Sequence, residues 1–170
     1  KGAVRTTRII RAVLEKNSLR QIKSLFVAEP YTHERFHYGG GMVFGKDGKL
    51  YFTIGERLFT EKDQPIVPIA QDIHDRRGKV YRINPDATIP DDNPDFGSKA
   101  TPGLYATGIR AAQGITLDTS TGKIWFSEHG THQGDEINVP KAKANYGWPI
   151  KTTGKYRYAE YAPLPIPENN

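Results

Sequence analysis

The run GMVFGKDGKLYFTIG, Gly41 to Gly55, returns downstream as GITLDTSTGKIWFSEHG, Gly114 to Gly130. Gly41 matches Gly114, Phe44 matches Leu117, Gly48 matches Gly122, Tyr51 matches Trp125 and Phe52 matches Phe126, with one more residue in the second turn. Each copy reads as two extended segments around a glycine-bearing turn, with Asp47 and Gly48 supplying the hairpin chemistry in the first. A polar excursion and a third strand follow each copy, Lys79 to Ile83 and then Glu136 to Val139. A repeated antiparallel unit with a period of roughly 70 residues demands stacked small sheets. A four-stranded blade with one long inserted loop accommodates that period, so propeller blades fit best.

The remaining elements are also extended. Val4 to Leu14 and Gln21 to Val27 read as two strands about a turn at Glu15 to Leu19, and the alternation Ile10, Ala12, Leu14 suits a half-buried face. Helical character is expected only at Pro68 to His74, where Pro68, Asp75 and Gly78 confine it to a turn or two. Asn84 to Pro102, rich in Pro, Asp, Asn and Gly, reads as a long surface loop because strand signals resume at Leu104. Its DDNPD run suggests either calcium or a solvated turn, and the spacing of a calcium loop is incomplete. The expected class is all-β.

The chain has 170 residues, 36% hydrophobic and 11% aromatic, enough for a core. It contains no apolar run approaching the roughly 20 residues of a membrane helix and no basic head followed by an apolar signal stretch, so membrane insertion is not expected. It opens on Lys1 and runs directly into a strand-like stretch, which suggests a processed or excised chain. With no cysteine, disulfides and thiolate metal sites are excluded. The net charge of +5 and pI near 9.3 favour anionic partners, yet the basic residues are scattered, and Lys141, Lys143, Lys151 and Lys155 form only a loose solvated group. No nucleic-acid motif accompanies them, so no nucleic-acid partner is expected.

Chemistry concentrates in EHGTHQGDEINVPKAKANYGWP, Glu128 to Pro149, where polar groups and glycines are held between two short strands. A second candidate is His37, just ahead of Gly39, Gly40 and Gly41, where a backbone can approach a ligand. A histidine near its free pKa suits abstraction of a hydroxyl proton; the alternative is a histidine satisfied at a strand entrance. A carboxylate at Asp135 would orient such an imidazole, with Glu136 as the alternative and a solvated loop carboxylate as the plain reading. His129 and His132 are a weak transition-metal pair for want of a third ligand. Tyr146, Trp148 and Tyr156 either stack on a ligand ring or pack in the core or at the rim.

Four runs together carry a family resemblance: FHYGGGMVFGKDGKLYFTIGE, AQDIHDRRGKVYRINPDATIPDDNP, YATGIRAAQG and EHGTHQGDEINVPKAKANYGWP, in order between Thr7 and Tyr161. The chain resembles the soluble quinoprotein glucose and sorbosone dehydrogenases, six-bladed β-propellers that use pyrroloquinoline quinone (PQQ) and calcium. The resemblance implies that residues 1–170 are a single segment of a larger propeller domain, about three four-stranded blades. It implies a periplasmic or secreted protein that passes a hydride from a sugar's anomeric carbon to a calcium-bound quinone. His37 then falls at the general base, Asp135 at its orienting partner, and Arg110 at an arginine contacting the quinone carbonyls. Gly130 and Thr131 fall where main-chain carbonyls hold the calcium. An open half ring would expose sheet edges, so the remaining blades or another chain are expected to cover them. Gly41 stands where the family motif ends in arginine, Ala111 and Ala112 replace asparagine and proline, and Glu56 replaces a common aspartate. A propeller retained as a non-catalytic binding or assembly module, with a degenerate cofactor site, is the competing expectation.

Overall fold

A computed structural model describes residues 2–58 and 61–158. Among the described residues, nine strands form three consecutive antiparallel sheets. The first is a ribbon of β1 (Arg8–Glu15) and β2 (Ser18–Val27). The second orders β3 (Gly39–Phe44), β4 (Leu50–Ile54), β5 (Lys79–Ile83) and β6 (Leu104–Ala106). The third orders β7 (Ala112–Leu117), β8 (Ile124–Glu128) and β9 (Glu136–Asn138). The repeat read from the sequence is therefore β3–β4–β5 against β7–β8–β9. Within the described residues only the middle sheet has the four strands expected of each blade.

Turn chemistry fixes the hairpins. Gly48 and Gly122 hold matching positive φ angles of 70° and 77°, a conformation open to glycine at little cost. Asp47 accepts from the Lys49 N–H at 3.1 Å, closing the first turn. The only helix among the described residues is a 3₁₀ turn at Glu61–Asp63. Pro68 to His74 holds no more than a turn, within the one or two expected: the Gln71 and Asp72 amides both donate to the Pro68 carbonyl, and the pattern does not propagate. No described helix is long and apolar enough to cross a membrane.

The core lies between sheets, because a twisted sheet with an apolar face is stable only when another covers it. All of β4 and β5 is buried. Phe26 from the first sheet meets Phe52 at 5.0 Å and Tyr81 at 4.5 Å between ring centroids. Burying a side chain such as Phe52 contributes about 1.5–3 kcal/mol. A second cluster of Val80, Ala106, Ile109, Ala112 and Phe126 joins the middle and third sheets. Arg57, fully buried, donates to the carbonyls of Arg5, Ala28 and Pro30 and pins the first sheet to the second.

The DDNPD turn wraps a cation belonging to the protein: Arg82 bonds Asp92 Oδ1 at 2.8 Å, Asn93 Oδ1 at 2.8 Å and Asp47 Oδ2 at 2.9 Å. The Arg82 bond holds Asp92 below the usual carboxylate range, and Asp47 is held below it, against the effect of burial, by the Lys49 amide first and Arg82 second. Where β3 passes β7, the strands lie so close that a Cβ on Gly41 would stand 2.4 Å from the Gln113 carbonyl oxygen and 3.0 Å from Ile115 Cγ2. The arginine missing from this position thus has a physical counterpart: the interface closes over a glycine.

Candidate functional site

The loop entering β3, the segment between β6 and β7, and the turn between β8 and β9 supply the candidate residues. His37 sits in the first of these with φ of 54°, an uncommon left-handed conformation for a side-chain-bearing residue. Its carbonyl accepts from the Arg57 N–H at 3.2 Å, and a Cβ on Gly55 would lie 2.0 Å from the same oxygen. Gly55 therefore allows His37 to be held against the end of β4. The Nδ1 of His37 is buried and has no hydrogen-bond partner. Burial and the nearby Arg110 charge push its pKa down to about 4, against a smaller upward effect of hydrogen bonding at the Leu58 backbone. The imidazole is neutral at physiological pH.

Arg110 is buried and tied at both ends. Its main-chain N–H donates to Glu128 Oε1 at 2.5 Å, and its carbonyl accepts from the Glu56 N–H at 2.9 Å. Its guanidinium donates to the carbonyls of Gly130 at 2.7 Å and His129 at 3.2 Å, and lies 5.2 Å from the centre of the Trp148 ring. A planar guanidinium over an indole is a favourable cation–π arrangement. Ala111 and Ala112 are fully buried, and Ala112 offers its carbonyl to Thr53 Oγ1 at 3.0 Å.

Asp135 is placed on its own turn. Its Oδ1 accepts from the Gly130 N–H at 2.9 Å and its Oδ2 lies 3.8 Å from His129 Nδ1; its side chain is 75% exposed. No hydrogen bond joins it to His37. Glu136 accepts from Thr153 and from Asn138. Thr131 donates its hydroxyl to the Lys155 carbonyl, and His132 is exposed. The structure thus brings His37 and Arg110 into one electrostatic unit and groups Asp135 with His129 and Gly130. A cleft of about 390 Å³ lined by Ser127, Glu128, His129, Asp135, Glu136 and Ile137 runs along the second group. Among the aromatics, Tyr146 packs edge-on against Phe126 at 5.2 Å and Trp148 is buried under Arg110.

The calcium expectation meets a specific obstacle. The Gly130 carbonyl already receives a guanidinium N–H, and a divalent cation at that oxygen would stand against a like charge. No group of three His, Cys, Asp or Glu side chains is placed to hold a metal among the described residues. Gly130 and Thr131 do not fit calcium with Arg110 in this position.

One buried group escaped the sequence reading. Glu128 ends β8 on the same inward face as Ile124 and Phe126, with the intervening residues exposed. In the repeat it stands where the first copy has Ile54, and a carboxylate replacing a core isoleucine was the available signal. Burial raises its pKa to about 8, and its Oε2 is buried without a partner.

Three consecutive antiparallel sheets carry a buried arginine and a neutral histidine on which its charge acts, and these define one wall of a propeller-borne polar site. The sequence matches the glucose/sorbosone dehydrogenase family over residues 1–169, and the chain belongs to that family. It is 34% identical over 155 residues to the aldose sugar dehydrogenase YliI of Escherichia coli K12, covering 89% of this chain and 38% of that protein. It is 37% identical over 142 residues to quinoprotein glucose dehydrogenase B of Acinetobacter calcoaceticus, covering 74% and 29% respectively. Among solved structures it superposes on a glucose dehydrogenase with TM-score 0.80 and 31% identity, covering 94% of this chain and 44% of that one. A PQQ-bound aldose sugar dehydrogenase from Streptomyces coelicolor gives TM-score 0.69 and 30% identity, covering 86% and 41%. The chain spans less than half the length of these relatives.

Proposed function

We propose that the protein containing this chain is a PQQ-dependent aldose dehydrogenase in which His37 is the general base. The observation that carries this reading is the buried, unpartnered Nδ1 of His37 beside the Arg110 guanidinium. A neutral imidazole can accept a proton from a sugar's anomeric hydroxyl at whichever ring nitrogen the substrate reaches. Arg110 and Arg157 both depress the His37 pKa, so the surroundings are cationic and suit an anionic quinone. When bound, the quinone supplies a two-electron acceptor for the hydride leaving the anomeric carbon, and the sugar becomes its lactone. Arg110 would stabilise negative charge as it develops on a carbonyl oxygen of the acceptor. Asp135 would act at a distance from His37, by fixing the Gly130 amide and standing beside His129.

Calcium at Gly130 and Thr131 requires the Arg110 guanidinium to leave the Gly130 carbonyl, and no step above depends on it. The wider expectations accompany the same reading: a sugar substrate, a periplasmic or secreted location, and further blades or another chain over the exposed apolar edges. Leu14, Ile22 and Ile137, exposed by 71%, 57% and 74%, mark those edges on the first and third sheets. The test is absorbance titration of the full-length protein with PQQ, followed by dye-linked oxidation of an aldose. Saturable binding with quinone-dependent turnover supports the proposal. Failure to bind PQQ refutes it and returns the chain to the reading of a non-catalytic module.

A further inference from the structure

The buried carboxylate of Glu128 has no part in the proposal above, yet it touches the main chain of the residue that does. We propose that Glu128 is a positioning residue, whose carboxylate sets Arg110 in place through the Arg110 N–H. The inference deepens the quinone reading and rests on it for its functional consequence, although its structural content stands apart.

A buried carboxylate in place of a core isoleucine is costly unless it makes a bond that an apolar side chain cannot. Glu128 makes one such bond, its Oε1 accepting from the Arg110 main-chain N–H at 2.5 Å, a role a carboxyl oxygen fills whether or not the group is protonated. The bond crosses from the end of β8 to the residue that precedes Ala111 and β7, and the same junction is clasped on its other side by the Glu56 N–H on the Arg110 carbonyl. Both peptide groups flanking the Arg110 Cα are thereby fixed. The Cα–Cβ direction is thereby set, and the side chain extends across Trp148 toward the carbonyls of Gly130 and His129. Those carbonyls follow Glu128 directly in the chain, so one strand end holds Arg110 at its backbone and at its guanidinium. Glu128, whose Oε2 is buried without a partner, lines a small recess together with Arg110, His129, Trp148 and Lys151, and Glu136 pairs with it across β8 and β9. A carboxylate retained there for packing alone would not be aimed at a main-chain donor.

The test uses the full-length protein and four variants: E128Q, E128A, R110A and the double variant E128A/R110A. Two readouts are taken. In [¹⁵N]arginine-labelled protein without quinone, the Arg110 amide proton is expected far downfield, to move upfield in E128A, and to return most of the way in E128Q, whose amide oxygen can still accept. In PQQ titrations, E128A is expected to weaken affinity by about ten- to a hundredfold when Arg110 is present and by less than twofold when it is absent. E128Q is expected within about threefold of the natural protein. A role in packing alone predicts equal losses with and without Arg110 and no rescue by glutamine, and either result overturns the proposal. If the natural protein fails to bind PQQ, the functional reading falls. The amide resonance then decides the Glu128 contact by itself: an Arg110 proton unmoved by E128A refutes it.

Discussion

The Nη1 of Arg110 stands 2.7 Å from the carbonyl oxygen of Gly130, so a cation of the protein occupies the oxygen at which a metal is expected. The two charges exclude one another at close range. Unit charges about 4 Å apart repel by about 4 kcal/mol at an effective dielectric of about 20. R110A should therefore raise the affinity of the quinone-free, full-length protein for calcium by about tenfold or more, measured by isothermal titration. Unchanged affinity would show that Gly130 plays no part in holding the ion.

The same guanidinium acts on His37. The imidazole's folded-state pKa of about 4 lies below its ordinary value near 6.5, so the unfolded chain takes up the proton first as pH falls. Stability from this group is complete above about 6.5 and is lost as pH falls through about 4. If His37 is the base, the acid limb of kcat/KM lies near pH 4. R110A removes one of the two largest depressing effects and should move both the limb and the His37 NMR titration upward, with burial still holding them below 6.5.

Gly41 tests the packing between the middle and third sheets. A methyl group there meets the Gln113 carbonyl at 2.4 Å, and overpacking of this kind costs about 1–3 kcal/mol. G41A should lower the urea midpoint of the full-length protein accordingly. Gly48 is the comparison: nothing lies within 4 Å of its Cβ position, and only its positive φ opposes substitution, at about 1 kcal/mol.

Arg82 tests the long loop. Its side chain is nearly buried while Asp92 is 73% exposed, so the network gains from geometry more than from desolvated charge. R82M should destabilise by about 1–3 kcal/mol and speed proteolytic cutting within residues 84–102, read by limited proteolysis. Equal cutting of both proteins would leave the loop held by something else.

Much of the fold was legible because the repeat fixed its own register. Gly48 and Gly122 locate the turns, and Phe52 and Phe126 locate the inward faces, with no need of long-range information. The site was less legible for a physical reason. His37 and Arg110 are named by local motifs, but whether they meet depends on how one sheet lies against the next. Asp135 was expected beside His37 and instead serves the Gly130 amide, since a carboxylate at a tight turn finds a main-chain donor close by. Pro68 supplies a helical start without the residues to extend it, and the 3₁₀ turn at Glu61–Asp63 carried no such signal. Glu128 was hidden inside an otherwise ordinary alternation.

His37 carries the proposed reaction, and its removal is the most direct test. In quinone-loaded, full-length protein, H37A should lower kcat for aldose oxidation by about a hundredfold or more while PQQ affinity stays within a few-fold. Full turnover in H37A, or a natural protein that binds PQQ yet oxidises no aldose, would contradict the assignment.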